Sequence, residues 1–202
     1  MLNAKNNFLM NIGLARAHSI LFDFLVNSTF GSSDLADVLR SQVVASVSAF
    51  DKLMHDLVRI GMVQTYLGQR APTQKFKSEV ISTELHFALV GATLPPAEVL
   101  FDQYVVRKLA VAAFQDPVKV ADGLSLIWAE THKWQVIASA MRMSEQDTTK
   151  TLKLISIRRN SIVHQADTDP FTSTKTPLSR DEANSITDFI ELCGSSIANL
   201  VV

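Results

Sequence analysis

The chain has 202 residues, 47% of them hydrophobic and 19% charged, with a formal net charge of −1 and a mean hydropathy of +0.15. That length and apolar content suit one domain over residues 1–202 with a sizeable core. The near-zero charge excludes a protein drawn to nucleic acid by its overall field, and the single cysteine, Cys193, excludes an internal disulfide framework or a multi-cysteine zinc site.

In chain order, Phe8, Ile12, Leu14, Ala15, Ile20, Leu21, Phe24 and Leu25 recur at helical spacing and predict a helix from about Lys5 to Val26. No small-residue cleavage site follows an apolar run there, so no signal peptide is expected. No stretch reads as the ~18 uncharged apolar residues of a membrane span, and a cytoplasmic, membrane-free protein is the expectation. Asn27 to Ser33 is a break, with Ser33 as a cap and Asp34 in the first turn of a second helix. That helix runs to about Leu67, with Leu35, Leu39, Val43, Phe50, Leu53, Met54, Leu57 and Gly61 on one broad face. Asp51, His55 and Arg59 recur at four-residue spacing on the other. Gly68 and Pro72 end it.

The middle third is less patterned. A modest helix is predicted from Ser78 to Val90, another from Pro95-Pro96 to about Phe114, and a helix or helix pair from Asp116-Pro117 to Met141. Ser144-Glu145-Gln146-Asp147 resembles a capping box and opens a helix that ends near Asp167. Thr168 to Pro177 is polar and turn-like, and Ser179-Arg180-Asp181-Glu182 is a full capping box for a last helix to about Leu200. Strict apolar alternation is absent, so the expected fold is an all-α bundle. Cys193, among Ile190, Leu192 and Ile197, reads as a core thiol. The five histidines are scattered, and neither a phosphate-cradling glycine-rich loop nor a nucleophile elbow is present, so no metal and no cofactor are expected.

The chemistry gathers between Leu152 and Asp167. On a helical plot Leu152, Ile155, Ile162, Val163 and Ala166 fall in one sector, with Arg159 in its middle. An arginine there is either paired with a buried acid or faces a cleft that something else completes. Lys153, Asn160, His164 and Asp167 form a neighbouring stripe. A carboxylate three residues after an imidazole can fix its tautomer and suit it to acid–base work, while the plainer reading is a surface helix edge. No acid stands between Asp147 and Asp167, whereas Lys150, Lys153, Arg158 and Arg159 are basic, a local patch able to hold a phosphodiester. Arg159 and His164 are about 140° apart on an ideal helix, so one site would need a loosened helix end or a second copy across a two-fold axis. A charged fraction below the roughly 25% usual for soluble domains fits surface hidden in an oligomer.

The word Arg158-Arg159-Asn160-Ser161-Ile162-Val163-His164-Gln165-Ala166-Asp167 resembles the HEPN superfamily, whose signature is an Arg, a polar neighbour and a His after four to six positions. The fuller string is similar to the RiboL-PSP branch, as is the stretch Leu39-Arg40-Ser41-Gln42 through Val47 to Val58. That resemblance implies an HEPN-like helical bundle with additional helices that forms a homodimer and cleaves RNA without a metal. The ribose 2′-OH attacks the adjacent phosphorus, leaving a 2′,3′-cyclic phosphate and a 5′-OH. It implies His164 as the acid–base group, Arg159 as the phosphate clamp and Asn160 as an orienting residue. Asp167 is expected to support His164, from spacing. Asp51 and His55 are supporting candidates that an exposed structural pair explains as well, and Lys150, Lys153 and Arg158 are RNA-binding candidates. Ala166 stands where another branch has a tyrosine, so regulation through that tyrosine is not expected. Implied partners are RNA and an antitoxin or defence-system protein. The alternative is a non-catalytic HEPN module that binds RNA, a nucleotide or a protein.

Overall fold

The computed structural model describes residues 1–28, 35–169 and 171–201, and among these it is all-helical, with nine helices. They are α1 (Leu2–Val26), α2 (Ala36–Tyr66), α3 (Gln74–Lys77), α4 (Thr83–Val90), α5 (Ala97–Leu109), α6 (Pro117–Leu124), α7 (Lys133–Met141), α8 (Glu145–Gln165) and α9 (Arg180–Leu200). The expected cap Ser33 and first-turn Asp34 lie outside the described residues.

Cap chemistry explains most of the boundaries. Ser144 and Ser179 each accept the backbone N–H three residues on, and Ser179 completes a reciprocal box with Glu182. Asp147 is too short to reach back to the Ser144 amide and instead takes the Ser144 hydroxyl at 2.6 Å. Asp116 caps α6, with Pro117 in its first turn. The stretch expected as one helix or a pair from Val118 to Met141 is the pair α6 and α7. The short α3, capped by Thr73, was not expected at all, and α5 stops at Leu109 rather than near Phe114.

The long α2 is the axis of the fold, with α1, α9, α5, α8 and α6 packed around it. The main core joins Phe8 and Ile12 of α1 to Phe50, Leu53, Met54 and Leu57 of α2, Ile137 of α7, Leu152 of α8 and Ile190 and Ile197 of α9. A buried polar strip ties three of these helices together. Ser19 donates to Asn184 at 2.6 Å, Gln42 to Asn184 and Thr187 at 3.0 Å, and Ser46 shares a hydrogen bond with Thr187. Every member of this buried strip is satisfied, as a buried polar group has to be. A second, smaller cluster (Leu39, Val43, Leu178 and Ala183, with Phe22, Ile162 and Ile186 against it) closes the end of the bundle where α1 and α8 finish and α2 and α9 begin.

Two sequence expectations change. By length and composition α1 is apolar enough to cross a membrane. Only the stripe Ala4, Phe8, Ile12, Ala15 and Ser19 is buried, and Arg16 is ion-paired to Asp188 at 2.6 Å and to Glu191. On α8, Val163 and Ala166 are exposed rather than part of the core sector. In the last turn of α8 only Ile162, among the described residues, packs against the bundle, because the helix ends at Gln165.

Cys193 is fully buried, and burial pushes its thiol up to about 12. A thiol reagent at pH 8 is therefore expected to label the native chain no faster than it unfolds, and to label it at once in denaturant. Rapid labelling of the native protein would show that α9 opens locally.

Candidate functional site

The site has to be built from the end of α8. That helix closes in a left-handed turn, with Ala166 at φ 51° and Asp167 at φ 56°. The Asp167 N–H donates to the Ser161 carbonyl at 3.0 Å, a wide closure around two left-handed residues that satisfies an orphan carbonyl of the last turn. The chain then forms a small loop, with an isolated bridge between Thr168 and Lys175 and the Thr176 N–H on the Asp167 carbonyl at 2.8 Å.

This turn overturns the expected Asp167–His164 pair. The three-residue step brings two side chains together only while the helix continues, and here it has ended. The Asp167 carboxylate points inward, with no exposure to solvent, and its Oδ2 accepts from Arg40 Nε at 2.7 Å and lies 2.9 Å from Arg158 Nη2. Arg40 also donates to the Thr176 carbonyl at 2.7 Å and to Asp37 at 3.0 Å, while Arg158 donates to the carbonyls of Thr176 and Pro177 at 3.2 and 3.0 Å. Asp37 further binds Lys175 at 2.6 Å, and that hydrogen bond holds its carboxyl below the usual range. Arg158, expected on RNA, is thereby committed to the loop. Arg40 was not singled out by the sequence, although its place beside Leu39 and one turn before Val43 on the apolar face of α2 was a signal.

Arg159 differs from these two arginines. It is half-buried and makes no ion pair among the described residues. Its Nη1 donates to the Asn160 side-chain carbonyl at 3.2 Å, and its Nε, like that of Arg158, is buried with no partner among the described residues. Its stripe continues through Ile162 and Ala166, which line a cleft of about 470 Å³ together with Asp37, Arg40, Ser41, Val44, Ala45 and Lys175. His164 is exposed in the last turn of α8 with no hydrogen bond to its ring among the described residues. Arg159 and His164 thus stand on different faces of one helix, as their spacing requires.

Lys150, Lys153, Ile157, Asn160 and His164 form an exposed stripe along α8, with steps of three and four residues. Lys150 and Lys153 have no ion-pair partner among the described residues. They border a cleft of about 650 Å³ with Pro117, Val118, Ala121 and Trp134. Asp51 and His55 are elsewhere. They sit about 16 and 22 Å further along α2 than Arg40, at 1.5 Å per residue. There Asp51 accepts the Phe114 N–H at 2.5 Å, and the His55 ring packs edge-on against Phe114 at 4.8 Å. Their separation of 3.9 Å leaves a weak pair. Both are anchors for the segment after α5 rather than members of the α8 site.

No family model, curated protein or solved structure matches this chain. Function therefore has to be argued from its own side chains. Among the described residues, the α8 end supplies a half-buried guanidinium without an acid, an amide holding it, and an imidazole open to solvent. Two ammonium groups without an ion-pair partner among those residues lie on the imidazole's stripe. An anion is the ligand that such a set of donors lacks.

Proposed function

We propose that this chain is a metal-independent endoribonuclease of the HEPN, RiboL-PSP kind, working as a homodimer. The observation that carries this reading is Arg159, whose half-buried guanidinium has, among the described residues, no acid to neutralise it and an Nε without a partner. A phosphate between the strands of charge at this helix end would satisfy it, with Asn160 fixing its plane. His164, open to solvent, would take the proton from the ribose 2′-OH as that oxygen attacks phosphorus. An imidazole in its protonated form would return a proton to the departing 5′-oxygen, leaving the cyclic phosphate. Because Arg159 and His164 face apart, a second copy has to supply one of the two groups to each scissile bond. Lys150 and Lys153 would track the RNA backbone away from the cut.

A second reading, a non-catalytic module that binds RNA, a nucleotide or a protein, draws on the same separation: within one copy no base and clamp converge. Incubating purified protein with total RNA in EDTA separates the two. Cleavage that persists in EDTA, leaves 2′,3′-cyclic ends and falls at least about 100-fold in both His164→Ala and Arg159→Ala supports the nuclease. Retention of RNA by a folded wild type that never cuts it supports binding. Lys150→Ala/Lys153→Ala should weaken RNA binding and flatten its salt dependence, with cutting at saturating RNA little changed.

A further inference from the structure

The unexplained surface of this molecule is the outer face of α1. Leu2, Leu9, Met10, Leu14, Ile20, Leu21 and Phe24 are between 36% and 71% exposed there. Every charged side chain of the helix is drawn off that face. Lys5 donates to Asn199 at 2.8 Å, Arg16 is paired with Asp188 and Glu191, and Asp23 is paired with Arg180 at 2.8 Å. An uncharged apolar strip of this length is at the upper end of what isolated soluble chains leave in water, and patches of that size are often functional.

The strip has a register. Asn3, Asn7, Met10, Leu14, Ala17, Leu21 and Phe24 follow one another by alternating steps of four and three, and all seven are exposed. This is a full heptad seam over a 25-residue helix whose other side is already buried in its own bundle. We propose that α1 pairs with α1 of a second copy of this chain, side by side and in the same direction, as a two-stranded parallel coiled coil.

The seam itself favours that occupant and that direction. In a parallel pair each layer meets itself, so Asn7 faces Asn7 at an a position, the polar pairing that fixes register in two-stranded coils. Reversing one helix about the middle of the seam would set Asn7 against Leu21. The positions flanking the seam (Asn6, Asn11, Gly13, His18, Ile20, Leu25 and Asn27) carry no acid and no Lys or Arg, so nothing repels a like partner. Covering the exposed side chains hides on the order of 500 Å² of apolar surface per copy. The pair reaches about 1,000 Å², the threshold of a specific interface. A lipid surface fits less well, because an interfacial helix needs free basic residues beside its apolar face and those of α1 are engaged. Spanning a bilayer would pull Phe8, Ile12 and Ala15 out of the core and break the Arg16 pairs. The pairing stands on α1 alone and does not depend on the ribonuclease reading. It does set the α8 ends of both copies at the same end of the assembly, because Phe22 and Ile162 share one small cluster.

The test is the solution mass of the full chain by light scattering. Wild type is expected at twice the chain mass and Leu14→Glu/Leu21→Glu at the chain mass, with unchanged helicity. Leu154→Glu/Ile157→Glu, on the exposed side of α8, is expected to keep the double mass. In a Cys193→Ser background, Asn7→Cys is expected to oxidise to a covalent dimer, which only the parallel arrangement allows. A monomeric wild type, or a double mass that survives the α1 charges and is lost with the α8 charges, overturns the proposal. So does co-sedimentation of a monomeric wild type with phosphatidylcholine–phosphatidylglycerol vesicles, if the α1 variant abolishes it. Failure of Asn7→Cys to cross-link in a dimer that the α1 charges do break overturns the parallel direction.

Discussion

Asp167→Ala is expected to lower the stability of this protein by about 3–5 kcal/mol, the cost of leaving buried cations without their acid. At about 2–4 °C per kcal/mol for a chain of this size, the melting temperature should fall by roughly 6–20 °C. The carboxylate has no exposure, and the guanidiniums at 2.7 and 2.9 Å have little of their own, so water cannot take its place. Two other outcomes separate charge from backbone. At φ 56° an alanine is strained and a glycine is not, so Asp167→Gly removes the left-handed penalty while leaving Arg40 and Arg158 unpaired. It should therefore recover only about 1–2 kcal/mol of the loss. Wild-type stability in Asp167→Gly would mean that the two arginines find sufficient partners in Asp37 and the carbonyls of Thr176 and Pro177. Calorimetric melting of the wild type and the two variants decides it. Because His164 stands one turn before this closure, loss of the pair should also loosen the last turn of α8. Faster amide exchange at residues 162–167 than in the rest of the helix would report it.

This same turn marks how far the sequence could be read. Helix existence follows from local rules, and the capping boxes and proline starts were visible because each needs only four adjacent residues. The exposed place of His164 and the plain structural use of Asp51 and His55 were likewise within reach. The partner of Asp167 was not. Arg40 is 127 residues away in the chain, and nothing in the local pattern says that α2 begins where α8 ends. The plot of α8 was also drawn as if the helix ran on to Asp167, which turned a committed structural acid into a neighbour of His164 and left Arg158 among the RNA contacts. The α1 seam shows the opposite failure. Leu14, Leu21 and Phe24 of the seam were read in one helical pattern with Phe8, Ile12 and Ala15, and Met10 and Ala17 were not named in it. That hid the two stripes of the helix, one packed inside and one with no partner among the described residues.

Whether α1 keeps that outer stripe turned outward depends on how closely α9 holds it, and Gly194→Val is expected to show this by destabilising the protein by more than about 3 kcal/mol. A Cβ at Gly194 would lie 2.5 Å from Phe8 Cζ, 2.7 Å from Phe8 Cε1 and 3.1 Å from Leu53 Cδ2. Phe8 is 1% exposed and is wedged among α1, α2 and α9, so its ring has nowhere to go. Alanine gains about 1 kcal/mol of helix propensity over glycine. In Gly194→Ala that gain is outweighed by the overlap, whereas in Gly13→Ala, where nothing lies within 4 Å, it should appear as a net stabilisation. Shortening the ring in Phe8→Leu makes room, so Gly194→Ala should cost less in that background than in the wild type, a coupling that chemical denaturation of the four proteins measures directly. Equal costs in both backgrounds would mean that α9 shifts bodily away from α1. A shift of that kind would let α1 roll, and the stripe from Asn3 to Phe24 would lose the fixed direction that a partner needs.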